Sequence, residues 1–361
     1  MKSEYLAYLK CPGCGSEDLS LKSSLTVKER VREGEILCGN CRATYAIRNF
    51  IPRFSGGIAY ADTFGPQWNA FAKSQIDDEK IKESAIRFDS ELGWSQGELE
   101  GRVIAEFGSG AGRFVDIASR RQAGLVVGID ATDAVDAAQE NLSDRANVLF
   151  IQADIFKNPL RDGAFDFAYS IGVLHHTPDP EAAFAKMLGA VKVGGLVGLS
   201  LYEVSNYHRP NRNSVKVSTL DLFWALNQWR MDFFRMLTTR VPEPAFLLYC
   251  KAVIPVLHIL NKIPIVKYVR YLLPSTCYGK LPLMNSMVDT HDTYATKIVH
   301  QYRGEDVFQW FLHEGLAEII LRNCRAGWVS ITACVPPMAE RLGRKMFLRQ
   351  PGPPGTTESM A

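Results

Sequence analysis

The sequence predicts a mixed α/β fold in which a parallel, Rossmann-like sheet carries a ligand site at the carboxyl ends of its strands. Two observations predict this fold. Five short apolar segments alternate with helical segments between residues 103 and 202, an alternation typical of parallel sheets. The first apolar segment, Val103–Phe107, is followed at once by glycines at 108, 110 and 112. A glycine turn at the end of a first strand marks a site for a nucleotide-like ligand.

The glycine turn leads into an amphipathic helix that we expect to begin near Arg113. Glycine accepts positive φ and has no Cβ, so the backbone N–H groups of Gly108 and Gly110 can approach a ligand closely. Glu106 precedes the turn by two residues, where a bound phosphate would be repelled by the carboxylate. The turn therefore favours a cationic ligand, and S-adenosylmethionine has both an ammonium and a sulfonium group.

The later apolar segments end in polar residues suited to the rest of such a ligand. We expect strands at 125–129, 147–152, 164–170 and 195–202. Asp130 at the second strand end is placed to bind both ribose hydroxyls, and Asp154 after the third is suited to an adenine amino group. The predicted cofactor-binding residues are Glu106, Gly108, Ser109, Gly110, Asp130, Ala131, Asp154, Ile155 and Ser170.

These motifs resemble those of class I S-adenosylmethionine-dependent methyltransferases. The set comprises Glu106-Phe-Gly-Ser-Gly-Ala-Gly, Gly-Ile-Asp130, Ala-Asp154 and Phe165-Asp-Phe-Ala-Tyr-Ser-Ile-Gly-Val-Leu-His-His. Within that class the sequence is most similar to the branch that includes the ubiquinone and menaquinone methyltransferases. One departure is Ser109, where family members often have cysteine. The resemblance implies the fold and the cofactor, but it does not identify the methyl acceptor.

Two C-x-x-C motifs lie near the N-terminus. Cys11 and Cys14 are separated by 23 residues from Cys38 and Cys41, a spacing that suits a zinc ribbon with four thiolate ligands. The segment around these motifs resembles the small zinc-ribbon activator subunit of several tRNA, rRNA and protein methyltransferases, which is also found fused to bacterial methyltransferases. Four cysteines leave no open coordination position, so we expect the zinc to be structural.

Composition and apolar pattern suggest how the chain is divided. We expect a zinc ribbon at 1–56, a helical segment covering the cofactor at 57–100 and the cofactor half of the methyltransferase core at 101–203. A helical insert at 204–300, a closing helix and strands at 301–349 and a disordered tail at 350–361 complete the prediction. The other cysteines, at 250, 277, 324 and 334, are predicted to be buried thiols. No signal peptide or transmembrane segment is apparent, which favours a cytoplasmic protein.

The insert is both basic and apolar. Residues 205–282 contain eleven Lys or Arg against three Asp or Glu, whereas the whole chain has a formal charge of only +2. Insertions at this place commonly form the acceptor pocket in methyltransferases of this fold. We expect prolines at 242, 244, 255, 264 and 274 to divide the insert into the short helices of a substrate lid. Its apolar residues form the lid's own core, or a surface for membranes or a lipid-linked acceptor; contact with RNA or an anionic substrate is a further alternative.

Methyl transfer needs a positioned acceptor and, for some acceptors, a group that takes a proton. We expect these residues after the fourth and fifth strands, near the end of the insert, and in the cover segment. The catalytic candidates are His175, His176, Tyr202 and His300. The substrate-binding candidates are Trp68, Tyr207, His208, Asp292 and Tyr294. Ordinary packing is an alternative role for each histidine and for Trp68.

The sequence thus predicts an enzyme that methylates a small or lipid-linked metabolite on oxygen, nitrogen or carbon. A tRNA or rRNA methyltransferase is one alternative, suggested by the zinc ribbon and the basic insert. A non-catalytic protein that binds the cofactor and activates another methyltransferase is a second alternative. The overall charge gives no argument for nucleic-acid binding.

Overall fold

The computed structural model describes residues 1–56, 58, 60–78, 82–204, 219–276, 282–325 and 327–349. The strands of these residues form one eleven-stranded sheet in the order β1-β2-β3-β4-β7-β6-β5-β8-β9-β11-β10. The strands are β1 (Leu19–Val27), β2 (Arg30–Cys38), β3 (Thr44–Arg48), β4 (Ile51–Arg53), β5 (Val103–Phe107), β6 (Leu125–Asp130), β7 (Val148–Gln152), β8 (Phe165–Ile171), β9 (Val191–Tyr202), β10 (Ala317–Arg325) and β11 (Trp328–Cys334).

The helices cover both faces of the sheet and form the insert. Those before and within the Rossmann-like half are α1 (Phe64–Ala70), α2 (Glu83–Leu92), α3 (Gln96–Leu99), α4 (Arg113–Arg120), α5 (Ala134–Asn141) and α6 (Pro180–Gly189). The insert contains α7 (Thr219–Thr238), α8 (Glu243–Leu260) and α9 (Leu283–Ala295). The chain closes with α10 (Gly304–His313) and α11 (Met338–Arg349).

The Rossmann-like half confirms the predicted α/β fold. Strands β5 to β9 pair in parallel, and β11 pairs with β9 in the antiparallel sense. β6 and β7 are apolar almost throughout because helices bury both faces of a parallel sheet. From β5 the chain runs outward to β6 on one side, and β8 lies on the other side. This reversal opens a crevice at the strand ends, where ligands bind in folds of this kind.

The N-terminal strands extend the same sheet. β1 to β4 form an antiparallel meander, and β4 joins β7 through the pair Arg53 and Gln152. The Arg53 guanidinium also contacts the Asp136 carboxylate at 2.5 Å. Leu9 and Ile47 of the N-terminal part belong to the same buried apolar cluster as the strands of the Rossmann-like half. The N-terminal part therefore shares its core with the rest of the chain.

The insert differs from the prediction of short, proline-separated helices. α7 and α8 are 20 and 18 residues long. Pro242 and Pro244 lie at the beginning of α8, where proline fits without loss of a hydrogen bond, but Pro255 lies inside the helix. Ile254 and Leu257 on either side of Pro255 are buried in the core of the insert. This packing holds the helix together across Pro255, so the prediction was wrong for this residue. Pro242, Pro244, Pro264 and Pro274 lie at or between helix ends, as predicted.

Among the described residues, one helix is long and apolar enough to cross a membrane. It is α8, with a mean hydropathy of 1.5 over 18 residues, of which 28% are buried within the protein. Core helices of soluble proteins can pass the same criterion, so length and composition alone are weak evidence for a span. The cysteines also depart from expectation in two cases: Cys250 is buried, but Cys324 is exposed on β10 and Cys334 is half-buried on β11. Cys277 and the predicted tail lie outside the described residues.

Candidate active site

A large cavity lies at the carboxyl ends of the parallel strands, beneath α1 and α9. Its empty space is about 1340 Å³, a volume that includes solvent at the open mouth. Its lining comes from the glycine turn, the ends of β6 and β8, the cover segment and the insert. The predicted site residues in that lining are Trp68, Glu106, Gly108, Ser109, Gly110, Asp130, Ala131, Ile155, His176, Tyr202 and Asp292.

The glycine turn has the geometry that the sequence predicts. Gly108, Gly110 and Gly112 all have positive φ, between 49° and 90°. A Cβ at position 108 would overlap the side chain of Val173, and one at position 110 would lie 3.3 Å from the Trp68 indole nitrogen. The turn therefore requires glycine on both conformational and steric grounds.

Of the two carboxyl groups beside the turn, Glu106 is buried and Asp130 is half-buried. Asp130 accepts hydrogen bonds from the Gly110 N–H at 2.9 Å and from the N–H and hydroxyl of Thr132 at 2.9 and 2.7 Å. Burial raises the pKa of Asp130 although these hydrogen bonds oppose the shift. Glu106 accepts a hydrogen bond from Tyr169 at 3.2 Å, and burial raises its pKa well above the usual range.

Two of the predicted cofactor residues lie outside the cavity lining. The Asp154 carboxylate accepts hydrogen bonds from the Tyr60 hydroxyl and the Phe156 N–H, each at 3.0 Å, and it borders the cavity through its neighbour Ile155. Ser170 is fully buried within the sheet, where its hydroxyl donates to the Phe107 carbonyl at 2.7 Å. This contact gives Ser170 a role in joining β8 to β5.

The catalytic candidates fall into two groups. His176 and Tyr202 line the cavity, whereas His175 and His300 lie outside its lining. His175 is fully buried with its ring 3.9 Å from the Tyr202 ring, and burial lowers its pKa well below the usual range. The Nδ1 atom of His176 is 2.9 Å from the Ile298 carbonyl oxygen. A carbonyl can only accept, so Nδ1 carries the proton and Nε2 is free to take another.

Helix α9 contributes two carboxyl groups to the cavity. Asp292 accepts a hydrogen bond from the Tyr202 hydroxyl at 2.9 Å. Asp289 lies one turn earlier in the cavity lining and has no hydrogen-bond or ion-pair partner in the described part of the chain. Burial, reinforced by Asp292 and Glu83, raises the pKa of Asp289 to about 7. A carboxyl group with this pKa can exchange a proton near neutrality.

The cover segment and the insert meet above the cavity. Trp68 of α1 lines it, and the neighbouring Gln67 accepts a hydrogen bond from His291 of α9 at 2.8 Å. Tyr294, predicted to bind substrate, is instead fully buried in the core of the insert. Tyr207 and His208, two further substrate candidates, lie outside the described residues.

Two arginines in the cavity were missed by the sequence analysis. Arg87 of α2 stacks over Trp328 at 3.8 Å, and its Nε and Nη2 atoms are buried without a hydrogen-bond partner in the described chain. Arg113 begins α4 and donates to Ser84 and Gln75 at 2.9 and 3.0 Å. The position of Arg113 directly after the glycine turn was a usable signal. The sequence around Arg87 contains no such signal, because the place of Arg87 in the cavity depends on how α2 packs.

The four N-terminal cysteines converge at one point. The Sγ atoms of Cys11, Cys14, Cys38 and Cys41 all lie within 4.8 Å of one another, and two of the pairs are 3.6 Å apart. A tetrahedral zinc with Zn–S bonds of 2.3 Å would need sulfur atoms roughly 3.8 Å apart. The thiol geometry therefore fits a tetrahedral metal ion.

Comparisons with known proteins agree with this site. Residues 105–199 match the family model described as a methyltransferase domain. The chain is 24% identical over 157 residues to cycloartenol-C-24-methyltransferase 1 of Oryza sativa subsp. japonica. This alignment covers 42% of the chain and 43% of the relative. The chain is also 32% identical over 103 residues to phosphoethanolamine N-methyltransferase 1 of Arabidopsis thaliana. This alignment covers 27% of the chain and 21% of the relative.

Several solved structures align with most of the chain. A Methanococcus maripaludis protein described as S-adenosyl-L-methionine-dependent methyltransferase aligns with 79% of this chain and 97% of its own, at 13% identity and a TM-score of 0.41. That TM-score is too low to support an argument. The chain spans less than half the length of the curated relatives it matches. The family match, the strand order and the glycine turn together identify residues 105–199 as a class I S-adenosylmethionine-dependent methyltransferase domain.

Proposed function

We propose that the chain methylates a small or lipid-linked metabolite with S-adenosylmethionine as the donor. One observation carries this proposal: the glycine turn and the carboxyl groups of α9 line the same cavity. The cofactor and an acceptor can therefore meet there without water between them. Two of the relatives are named as methyltransferases of cycloartenol and of phosphoethanolamine, which agrees with a metabolite as the acceptor.

The cofactor half of the cavity suits each part of S-adenosylmethionine. In our proposal the backbone at Gly108 and Gly110 approaches the methionine moiety, Asp130 binds the ribose and the segment Asp154–Ile155 flanks the adenine. Arg87 supplies buried N–H donors that make no hydrogen bond within the described residues, and its Nε lies 3.8 Å from the Glu91 carboxylate. A carboxylate such as that of the methionine moiety is the natural partner for such a guanidinium group.

The acceptor half provides groups that can take a proton. Methyl transfer breaks the sulfur–methyl bond as the acceptor's lone pair forms a new one, and an O–H or N–H acceptor then loses a proton. Asp289 and the Nε2 atom of His176 line the cavity and can accept that proton. We favour Asp289, because it has no partner in the described chain and burial raises its pKa to about 7.

We also propose that the four cysteines bind a structural zinc ion. The sulfur atoms fit a tetrahedral site, and four thiolates leave no position for a substrate or water. The metal would hold β1 to β4 in place beside β7. No step of methyl transfer needs it.

RNA methylation is the alternative with a specific observation in its favour, the net charge of +8 between residues 205 and 282. The meeting of the glycine turn and the α9 carboxyl groups in one cavity favours a smaller acceptor. A non-catalytic activator is less well supported, because such a protein has no need of proton-accepting groups opposite the cofactor turn.

Transfer of labelled methyl groups into a cell extract distinguishes these functions. The purified chain and an Asp130→Ala variant are incubated with labelled S-adenosylmethionine, and the extract is separated into RNA, protein, lipid and small-molecule fractions. Label in the lipid or small-molecule fraction that depends on Asp130 would support the proposal. Label in RNA, with strong salt dependence, would establish the alternative, and no transfer to any fraction would contradict an enzymatic role.

A further inference from the structure

The helical insert exposes far more apolar surface than the rest of the protein. Of the 24 large hydrophobic residues found exposed in the described chain, 16 lie between Leu226 and Met284. Exposed apolar residues gathered in one part of a soluble protein mark interaction sites. Helix α7, helix α8 and the segment after α8 each contribute exposed apolar residues.

Helix α7 has an apolar stripe along one side. Leu226, Trp229, Phe233 and Leu237 are 58%, 67%, 40% and 45% exposed. Their spacing of three to four residues places them on one face of the helix. The other side of α7 faces α9, because Arg235 donates to carbonyl oxygens of that helix at 2.9 and 3.0 Å.

Helix α8 repeats this arrangement. Leu248, Val256 and Ile259 are 66%, 54% and 62% exposed, and they too lie on one face. The opposite face of α8 packs on α9, with Phe246 and Ile254 in the shared core. Both helices therefore turn their buried sides toward α9 and their apolar exposed stripes away from it.

The segment after α8 adds further apolar residues. Ile265 is 82% exposed and Leu272 is 73% exposed, with Tyr268 at 59% between them. We call this segment together with the exposed stripes of α7 and α8 the insert face. Tryptophan and tyrosine residues such as these are typical of the boundary between lipid and water.

The sequence of the insert is strongly basic. The whole chain has a formal charge of +2 and residues 205–282 have +8, so the remainder has −6. Lys251 lies over the Phe71 ring of the cover segment, whereas Arg240 and Lys262, just after the ends of α7 and α8, are exposed. Their long side chains can lie along apolar surface while the charged ends reach a polar layer. Hydrophobic residues bordered by cations are complementary to a bilayer that contains anionic lipids.

We propose that the insert face docks the protein on the surface of an anionic lipid bilayer. The helices lie along the membrane instead of crossing it, because one side of α8 remains packed on α9. Since α9 also lines the cavity, docking brings the acceptor side of the site close to the lipid. This proposal stands without the proposed function, because bilayer binding requires no methyl transfer.

Vesicle sedimentation tests the proposal with the full chain. We expect the protein to sediment with vesicles of phosphatidylcholine and phosphatidylglycerol, to stay in solution with phosphatidylcholine alone, and to be released by high salt. The triple variant Trp229→Gln, Leu248→Gln and Leu272→Gln should bind at least about tenfold more weakly, because each side chain loses apolar area that would be buried. Met338→Gln is the matched control, since Met338 is 65% exposed on α11, outside the insert.

Affinity for S-adenosylhomocysteine, measured in the same variants, shows whether the cavity remains intact, so loss of vesicle binding and loss of the site are distinguishable. Equal binding to neutral and anionic vesicles would overturn the proposal, as would a triple variant that sediments like the wild type. Protein that resists extraction by salt and alkaline carbonate would indicate a spanning helix. A dimer that the triple substitution dissociates, with no vesicle binding, would show that a second copy covers the face.

Discussion

Replacing Asp130 with alanine is expected to weaken cofactor binding strongly while leaving the N-terminal metal site unchanged. Asp130 lies at the end of β6, in the cavity lining and beside the glycine turn. It fastens the turn through the Gly110 N–H and orders the following residues through Thr132. Alanine removes the acceptor for the ribose and leaves these donors without their partner.

The magnitude follows from the lone pairs of the carboxylate. Two carboxylate oxygens offer about four acceptor positions, and three are occupied by Gly110 and Thr132. One ribose hydroxyl can bind directly, and a second requires the Gly110 N–H to turn toward the cofactor. A hydrogen bond to a charged group contributes roughly 1.5–3 kcal/mol. Loss of one bond corresponds to roughly 10- to 150-fold weaker binding, and loss of two to more than about 150-fold.

Titration calorimetry with S-adenosylhomocysteine measures this change, and Asp130→Asn is the matched control. Asparagine keeps one oxygen for Thr132 but loses the negative charge, so we expect it to lie between the wild type and Asp130→Ala. Metal content measured on the same samples should be equal in all three proteins. An affinity of Asp130→Ala within about twofold of the wild type would refute the assignment of this carboxylate to the ribose.

Three further predictions address other parts of the molecule. Wild-type kcat/KM should rise with pH through about 7, because the raised pKa of Asp289 keeps the carboxyl group protonated below that pH and only the ionised form accepts a proton. The Asp289→Asn variant should react more slowly and should no longer show this rise. A rise that persists in the variant would mean that another group takes the proton. Gly108→Ala should weaken S-adenosylhomocysteine binding and lower the free energy of unfolding by at least about 1–2 kcal/mol, since the new Cβ would overlap Val173. The control Gly163→Ala, also at positive φ but in open space, should leave binding unchanged, and equal loss in both variants would show that steric overlap is unimportant. Chelation of the metal, or Cys14→Ser, should lower the melting temperature of the whole protein measured by calorimetry, because structural zinc contributes roughly 10–16 kcal/mol in small domains; an unchanged transition would contradict a structural metal.

The cofactor half of the site could be predicted from sequence because its residues are fixed by local rules. Gly108 follows a buried strand directly, and Asp130 ends the next one, so their meeting at one edge of the sheet follows from parallel strand order. The predicted bounds of β5 agree with the structure. The narrower likeness to quinone methyltransferases remains a prediction, since the family match extends only to the methyltransferase domain.

The acceptor half could not be predicted in the same way. Asp289 and Asp292 lie three residues apart, and the sequence analysis identified only the second. The packing of α9 against α7 and α8 determines which side of α9 faces the cavity. No short sequence motif predicts this orientation. The prediction at Pro255 was wrong for a related reason. Local propensity predicts a break in the helix at this proline, but tertiary packing keeps α8 continuous.

The continuous sheet also determines what protects its edges. β7, Val148–Gln152, is entirely buried and carries no charged residue, so it lacks the lysines and prolines that keep a free edge from pairing with another chain. Arg53 and Phe54 cover its end: Arg53 pairs with Gln152, and the Phe54 N–H donates to the Gln152 carbonyl at 2.8 Å. A fragment beginning at residue 57 would leave this strand uncovered and ready to template aggregation. We therefore expect the N-terminal strands to protect this end of the sheet from pairing with another chain.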